Sequence, residues 1–347
     1  MTGRVISAGL LLLWIAFFPG GCGSSHGPDV SDIKVNIQIE RFDKAFFEAA
    51  DTSNSVAYIS RLEKQFPFFT NDFFQFILGL PRAEKTDSAY PAYEQLRLFY
   101  RVSKPLYDSI SHRIGDKDIK QLKLKLEDAF KHVKYYFPDY EVPRIITYIG
   151  PFNAPGIALT NNALAIGLQL FAGKDFSFYS SMEGQELYPL YISCRFEPSY
   201  IPAGCMKAVI EDMYPDRSQG RPLIEQMIEK GKVWYALDKI LPDMPDSLKT
   251  DYTEGQLKWV KANEALVWNY LLQNQSLYVT DPFIVKTFIG EAPSTYGMPD
   301  ASPGNIGPWV GREIIKAYAG KMPEKTLADI MDTNAKEIFT GSKYKPR

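Results

Sequence analysis

Near its middle the chain changes its hydrophobic period, and this change limits the architectures it can adopt. Residues 116–137 carry apolar side chains at spacings of three and four, which places them on one face of a helix. These side chains are Ile119, Leu122, Leu126, Phe130 and Val133. Over 143–171 the pattern becomes short β-branched and apolar runs, "IITYIG", "GIALT" and "NALAIGLQLF", separated by Pro, Gly and Asn. Such runs are typical of short strands, so we expect a small antiparallel sheet there.

The helical period returns on both sides of this sheet. Before it, helices are expected through residue 137, after an alternating run at 35–42 that predicts one more strand. After it, the expected helices are 203–214, 221–241, 253–272, 280–289, 304–319 and 325–338. Hydrophobic residues make up 45% of the chain, which is enough for one large core. The sequence therefore predicts an α+β fold, mainly α, with a single domain over 35–347 whose helices pack on a central sheet.

The N-terminus has the pattern of a secretory signal. Its apolar run, Val5–Phe18, is shorter than the roughly 20 residues of a membrane span and suits the core of a signal peptide. Two glycines stand directly before Cys22, as in bacterial lipoprotein signals, although Pro19 stands where such signals usually have Leu. We expect residues 1–21 to be removed, Cys22 to be acylated, and 22–34 to form a flexible tether. The alternative is a plain secretory signal with an unmodified boundary cysteine.

Two further cysteines, Cys194 and Cys205, are eleven positions apart. An oxidising periplasm permits a disulfide between them, which would close a small loop and stabilise the fold by about 2–3 kcal/mol. The alternative is a pair of buried free thiols. The sequence leaves both possibilities open.

Residues 205–232, "CMKAVIEDMYPDRSQGRPLIEQMIEKGK", predict two helices joined by a break. The first helix places Lys207, Glu211 and Asp212 on its polar face. Lys207 and Glu211 are four residues apart, a spacing that favours a surface ion pair. Gly231 lies inside the second helix, where it costs about 1 kcal/mol relative to Ala, and so indicates a close approach to another element.

Helix pairs of this kind hold catalytic zinc in one class of peptidases, which carry two histidines four residues apart on the first helix. This pair has no histidine, and the three in the chain are His26, His112 and His132. We expect His132, near the end of a strong helix, to be a capping or partly buried residue. The acids of the helix pair lack the spacing of a calcium loop and are expected to be surface carboxylates. The sequence therefore predicts neither a metal nor another cofactor.

A cleft is expected between the polar face of 207–212 and the loop 290–307, which is long and rich in Gly and Pro. Long loops in compact domains are often functional. The candidate cleft residues are Lys207, Glu211, Asp212, Lys230, Trp259 and Trp309. Aromatic side chains in such a cleft could bind a glycan or a peptide without any chemistry.

Several segments, taken in their order, resemble the GldB-type gliding motility lipoproteins of Bacteroidota. They include "IERFDKAFF", "YYFPDYEVPRIITYIGPFNAPGIALTNNALAIGLQLFAGKD", "YPLYISCRFEPSYIPAGCMKAVIEDMYP", "EKGKVWYALDKILPDMPDSL" and "FIGEAPSTYGMPDASPGNIGPWVGREIIKAY". The resemblance covers nearly all of the chain after the signal. It implies a cell-envelope lipoprotein associated with gliding motility, and an association that extends to the neighbouring type IX secretion apparatus.

The same family is distantly similar to zinc peptidases of the gluzincin kind, in which a sheet precedes an HExxH helix and then a helix beginning near E-G-x-A. The order of elements here fits such a zincin-like arrangement, but the ligands do not. "KAVIEDMYP" stands in place of HExxH, and "EKGKV" brings Lys230 before the glycine. A lysine ammonium repels a divalent cation, so the resemblance implies a frame without metal and a protein that is not an enzyme.

These observations predict an envelope lipoprotein that acts through protein contacts. Its expected partners are the lipid bilayer, through acylated Cys22, and other gliding or secretion proteins. No acidic run follows Cys22, which favours a membrane surface facing the periplasm over the cell surface. A net charge of −2 with scattered Lys and Arg argues against nucleic acid as a partner. The alternatives are a glycan- or peptide-binding lipoprotein of nutrient uptake, using Trp259 and Trp309, and a divergent hydrolase using carboxylates or His132.

Overall fold

The computed structural model describes residues 27–48, 55–80, 90–160, 162–274 and 276–346. The expected signal peptide, Cys22 and His26 lie outside the described residues. Within the described ranges the chain is mainly helical and contains one four-stranded sheet, which confirms the α+β, mainly α class. No helix in these ranges combines the length and the apolar character needed to cross a membrane.

The sheet is mixed rather than wholly antiparallel. Its strands are β1 (Ile39–Arg41), β2 (Arg144–Tyr148), β3 (Ile157–Leu159) and β4 (Ala163–Gly167), in the order β1-β2-β4-β3. Both β1 and β4 run parallel to β2, while β3 and β4 pair antiparallel. The predicted antiparallel pairing is therefore confirmed only for β3 and β4, which a short turn joins. Parallel neighbours need a long crossover, and the helices between β1 and β2 supply one of them.

Five α-helices precede β2 in the described part of the chain. They are α1 (Phe42–Phe47), α2 (Ser55–Gln65), α3 (Thr70–Asp72), α4 (Tyr90–Arg113) and α5 (Asp116–Tyr136), with a π-helical turn, Phe73–Ile77, directly after α3. The ring of Phe42 lies 4.7 to 5.4 Å from the rings of Phe66, Phe69 and Phe73. Tilted and edge-on aromatic pairs of this kind add stability beyond the area they bury. The resulting phenylalanine cluster reaches the sheet at Tyr148, 5.9 Å from Phe69.

The first described residues lie against α5. Gly27 is packed so closely that an added Cβ would stand 2.7 Å from Pro242 and 3.3 Å from Nε2 of His132. Val30 is buried, and the amide of Ile37 donates to the Glu127 carboxylate at 3.3 Å. From Gly27 onward the chain is therefore held against the body of the protein, and the expected flexible tether stays a prediction for residues 22–26, which lie outside the described residues.

Twelve helices follow the sheet in the described residues. They are α6 (Ser177–Ser180), α7 (Met182–Leu187), α8 (Leu190–Ser193), α9 (Ile201–Met213), α10 (Leu223–Ile240), α11 (Asp246–Thr250), α12 (Glu254–Ala262), α13 (Glu264–Gln273), α14 (Pro282–Ile289), α15 (Ile306–Ala319), α16 (Leu327–Asp332) and α17 (Ala335–Ser342). The helix expected over 253–272 is two helices, because Asn263 ends α12 by donating its side-chain amide to the Trp259 carbonyl. The helix expected over 325–338 is also divided, since Asn334 caps a new helix through the amide of Glu337.

Helices α10 and α15 meet backbone to backbone, as the position of Gly231 predicts. A Cβ on Gly231 would stand 2.5 Å from the Arg312 amide nitrogen, and one on Gly311 would stand 1.9 Å from the Met227 carbonyl oxygen. Real Cβ atoms do not approach other atoms this closely, so only glycine fits at either position. This crossing fixes α10, which forms one wall of the cleft described below.

Candidate functional site

A cleft of about 630 Å³ opens between α9, α10 and the loop that joins α14 to α15. This is the place where the sequence predicts one. Lys207 and Glu211 line it from α9, Lys230 lines it from α10, and Glu291 and Asn305 line it from the loop. The two segments that stand in place of HExxH and E-G-x-A in the family resemblance therefore face one shared cleft.

Lys207 does not form the expected ion pair with Glu211. Its ammonium instead contacts the carboxylate of Asp251, which also lies 3.5 Å from Nη1 of Arg195. Nη2 of Arg195 bonds the carboxylate of Glu291 at 2.9 Å. The side chains of Lys207, Arg195 and Asp251 are all at least three-quarters buried, so water screens these pairs only in part. The polar face of α9 is thus tied into a network instead of being merely solvated.

The charge of Arg195 is stabilised by its neighbours. Burial acts to lower the pKa of Arg195, but the carboxylates of Asp251 and Glu291 outweigh it and raise that pKa. Asp251 itself has a φ of +62°, a left-handed conformation that Asp adopts far less readily than Gly. The next residue, Tyr252, is buried and donates its hydroxyl hydrogen bond to the Asn305 carbonyl at 2.9 Å. The turn at Asp251 therefore connects α9 with the loop across the cleft.

Lysines on α10 are also paired. Lys230 lies 3.3 Å from the carboxylate of Asp216, in the break between α9 and α10. Burial acts to raise the pKa of Asp216, but hydrogen bonds from Ser218, together with Lys230, hold it below its usual value. Lys232 is buried and donates to the carbonyls of Met331 and Thr333 at 3.0 and 2.7 Å. This ammonium joins α10 to the end of α16 and to the residue that follows it.

Glu211 differs from the other charged residues of the cleft. It is exposed, and no cation among the described residues pairs with it. Every other charged side chain that lines the cleft has an ionic partner in the structure. Glu211 therefore offers a carboxylate that a bound molecule can engage without breaking an internal contact.

Three of the predicted cleft residues lie elsewhere. Asp212 is exposed on α9 but points away from the cleft towards Tyr140, whose pKa burial raises to about 12 with a smaller contribution from Asp212. Trp309 is only 1% exposed and belongs to the core, and Trp259 is half-buried on α12, outside the cleft. The aromatic residues that do line the cleft are Tyr214 and Trp234, and Trp234 lies edge-on to Tyr252 at 5.4 Å.

The histidines and cysteines also lie outside the cleft. His132 is buried on α5 with Nδ1 3.0 Å from the Asp128 carbonyl oxygen, while His112 is exposed near the end of α4. Within the described ranges, no three His, Cys, Asp or Glu side chains are grouped as a metal ion would require. No disulfide joins Cys194 and Cys205: both are free thiols, Cys194 exposed and Cys205 buried, and burial raises the pKa of Cys205 above its usual range.

Arg195, Asp216 and Asp251 are among the residues of this site that sequence reasoning missed, as are Glu291, Tyr214 and Trp234. Arg195 stands in an aromatic stretch with little periodicity, and the two aspartates stand in turns. An aspartate in a turn is ordinary. Nothing in the local pattern reveals that Asp251 meets Lys207, 44 residues away in the chain.

Fold and cleft together define a mainly helical α+β protein with an ion-paired surface cleft. The model of one family, described as gliding motility protein GldB, matches residues 23–346. The chain belongs to this GldB family, which associates it with gliding motility and, as a lipoprotein family, with the cell envelope. No curated protein and no solved structure gives a significant match.

Proposed function

We propose that this protein is a non-catalytic lipoprotein of the cell envelope that supports gliding by holding a segment of a protein partner in the cleft between α9 and α10. Family membership supports the link with gliding. The ion-paired cleft supports a binding role, because its charged groups already satisfy one another and form a preorganised surface. The partner would be another gliding protein or a component of the type IX secretion apparatus.

The observation that carries this proposal is the unpaired carboxylate of Glu211. In a cleft whose other charges are neutralised internally, one free carboxylate selects a partner that presents a cation. The proposed partner segment therefore carries a Lys or Arg that meets Glu211. The alternative of glycan binding through Trp259 and Trp309 loses support, because neither lines the cleft, and a glycan would have to use Tyr214 and Trp234 instead.

Reversing the charge at Glu211 tests the proposal. We expect Glu211→Arg to weaken partner binding by about tenfold, because like charges then face each other. Gliding speed and colony spreading of a deletion strain carrying this variant should fall, with protein level and thermal unfolding unchanged.

The matched control is Asp212→Arg. It makes the same charge change on the adjacent, exposed residue, which points away from the cleft. A photoreactive amino acid placed at 211 or 212 adds a second readout, since only position 211 should crosslink to a gliding or secretion protein. Equal motility of the two charge variants would contradict the proposed role of the cleft.

The anchor has its own test. Acylation should attach the protein to the membrane through Cys22, so we expect Cys22→Ser to move it from the membrane fraction to the soluble fraction. Membrane fractionation by ultracentrifugation measures this, and the intact mass of the mature protein shows whether acyl chains are present. An unchanged distribution between membrane and soluble fractions would exclude Cys22 as the anchor.

The absence of catalysis is part of the proposal and can be tested in the same strain. His132→Gln keeps a hydrogen-bonding side chain at the buried position and should leave gliding unchanged. Addition of a metal chelator to the purified protein should likewise leave partner binding unchanged in a binding assay. Loss of gliding in a folded His132→Gln variant would favour the hydrolase alternative.

A further inference from the structure

Helix α5 carries a row of exposed lysines that the cleft does not involve. Lys117, Lys120 and Lys125 are exposed, and none of them pairs with a carboxylate anywhere in the part of the chain that the structure describes. Leu124 lies among them and is 58% exposed, although it is a large apolar side chain. Helical spacing places Lys117, Lys120 and Leu124 on the same outward face, while Lys125 is rotated about 100° from Leu124, towards the side of the helix.

Three of the acids of α5 have partners away from these lysines, or pair with another lysine. Asp116 pairs with Arg41 and Lys44, and Glu127 pairs with Lys123 at 3.0 Å. Asp118 accepts a hydrogen bond from the Gly115 amide at the start of the helix. Asp128, beside the buried His132, is exposed four residues after Leu124 and so places one negative charge on the same face. The outward face of the first four turns therefore has an excess of positive charge around one apolar side chain.

This face is also close to the point where the chain leads back to Cys22. Gly27 packs beside His132, and Ile37 bonds Glu127, so the first described segment lies on α5 itself. Cys22 precedes Gly27 by five residues, which can span about 17 Å at most. Leu124 is eight residues from His132 along the helix, or about 12 Å. A membrane that holds an acylated Cys22 is consequently within reach of this face of α5.

We propose that α5 rests on the membrane surface, with Lys117, Lys120 and Lys125 at anionic phospholipid headgroups and Leu124 inserted between them. This inference depends on the lipid anchor of the proposed function. Lysine stems lie along the apolar boundary while their ammonium groups remain at the phosphates, and clustered lysines favour anionic leaflets. The anchor would then set the orientation of the whole protein as well as its location, with α5 towards the lipid.

Insertion of Leu124 can be measured in the acylated full-length mature protein. Cys194→Ser removes the exposed native thiol, and Leu124→Cys then accepts an environment-sensitive fluorophore, since Cys205 is buried. In vesicles containing phosphatidylglycerol, lipids with a nitroxide at the headgroup should quench this probe strongly. The control is a probe introduced by Phe283→Cys, at an 86% exposed phenylalanine on α14, which should not be quenched. Equal quenching at both positions, or none at position 124, would overturn the proposal.

The lysines are tested in the non-acylated Cys22→Ser protein, so that headgroup binding is separated from the anchor. Joint replacement of Lys117, Lys120 and Lys125 by Gln should weaken sedimentation with phosphatidylglycerol vesicles by about fivefold for each lysine. The control replaces three exposed and unpaired lysines on other helices, Lys258, Lys286 and Lys336, by Gln. An equal loss of vesicle binding in both triple variants would show that only the net charge of the protein matters, and would contradict a defined membrane face.

Absence of the lipid anchor and absence of the membrane face have different signatures. A mature protein without acyl chains in its intact mass would remove the anchor. An acylated protein in which the probe at position 124 stays in water would keep the anchor and exclude α5 as the membrane face.

Discussion

Asp251 joins two functions in one residue. Its carboxylate lies between Lys207 and Arg195, and its backbone makes the left-handed turn that ends α11. Glycine would make this turn with less strain, but glycine has no carboxylate. The choice of Asp indicates that the ion pairs outweigh the backbone strain at this position, which is about 1 kcal/mol.

Three substitutions separate the contribution of the ion pairs at Asp251 from the cost of its backbone strain. Asp251→Asn keeps a side chain that tolerates the left-handed region and should lower the free energy of unfolding by about 1–2 kcal/mol, because the mostly buried Lys207 loses its carboxylate partner and Arg195 loses one of its two. Asp251→Ala should be worse than Asp251→Gly by about 0.5–1 kcal/mol, since only the former adds backbone strain. Urea unfolding measures all three variants. Equal stability of the Ala and Gly variants would show that the turn is not strained.

The sequence predicts the position of this site better than it predicts the contacts within it. The helix pair, the loop and the residues Lys207, Glu211 and Lys230 could be brought together from periodicity, loop length and a family resemblance. The partner of Lys207 could not, because helical spacing reports only neighbours on the same helix and Asp251 comes from a distant turn. Trp309 was expected at the surface of the cleft, yet a tryptophan at helical spacing carries the same signal whether it faces a core or a cleft.

At the scale of elements, the crossing of α10 and α15 is the contact that leaves least room for change. Gly231 and Gly311 allow the two backbones to touch, and Arg312 and Asp238, which also come from these helices, are joined by two hydrogen bonds of 2.6 Å. Gly231 could be recognised from the sequence because a glycine inside a strong helix is costly without a packing reason. The parallel pairing of β1 with β2 could not be recognised, since the sequence pattern of a strand does not specify which strand lies beside it.

Adding a methyl group to this crossing should separate the helices. Gly311→Ala would place a Cβ against the Met227 carbonyl and should lower the free energy of unfolding by about 2–3 kcal/mol, despite the higher helix propensity of Ala. The control is Gly255→Ala on α12, where the nearest neighbouring atom is 3.9 Å away and Ala should be neutral or stabilising by about 0.5 kcal/mol. Chemical denaturation of both variants tests this, and a stable Gly311→Ala protein would contradict the tight crossing.

At the scale of the whole molecule, one buried ion network joins three helices of the C-terminal half. Arg312 is 2% exposed, binds Asp238 through two nitrogens, and lies 3.2 Å from Asp246. Lys249 reaches both carboxylates, at 2.9 and 3.2 Å. Burial acts to raise the pKa of Asp238, but hydrogen bonding to Arg312 and the surrounding cations lower it below its usual value. The pKa of Asp246 is lowered in the same way against burial, by Arg312, Lys261 and Lys249.

This network predicts a specific loss of stability in acid. A carboxyl whose pKa is lower in the folded protein than in the unfolded chain stabilises the fold above the unfolded value, about 3.9, and this stability is lost as pH falls. We expect the free energy of unfolding in urea to decline from about pH 5 towards pH 2. Asp238→Asn should be less stable at pH 7 and show a shallower decline. An identical decline in both proteins would assign acid sensitivity to other groups.

The parallel pairing of β1 with β2 also determines the order in which the contacts of the fold can form during synthesis or translocation. Glu40 and Arg144, whose side chains bond across these strands, are 104 residues apart in the chain. A polypeptide that emerges from the ribosome or from a translocation channel N-terminus first therefore exposes β1 and the phenylalanines of α1 long before their partner strand arrives. Closing such a distant contact is slow, and the exposed aromatic surface meanwhile favours aggregation. We therefore expect the early part of this chain to need a chaperone, or fast release of the rest of the chain, to avoid aggregation before it folds.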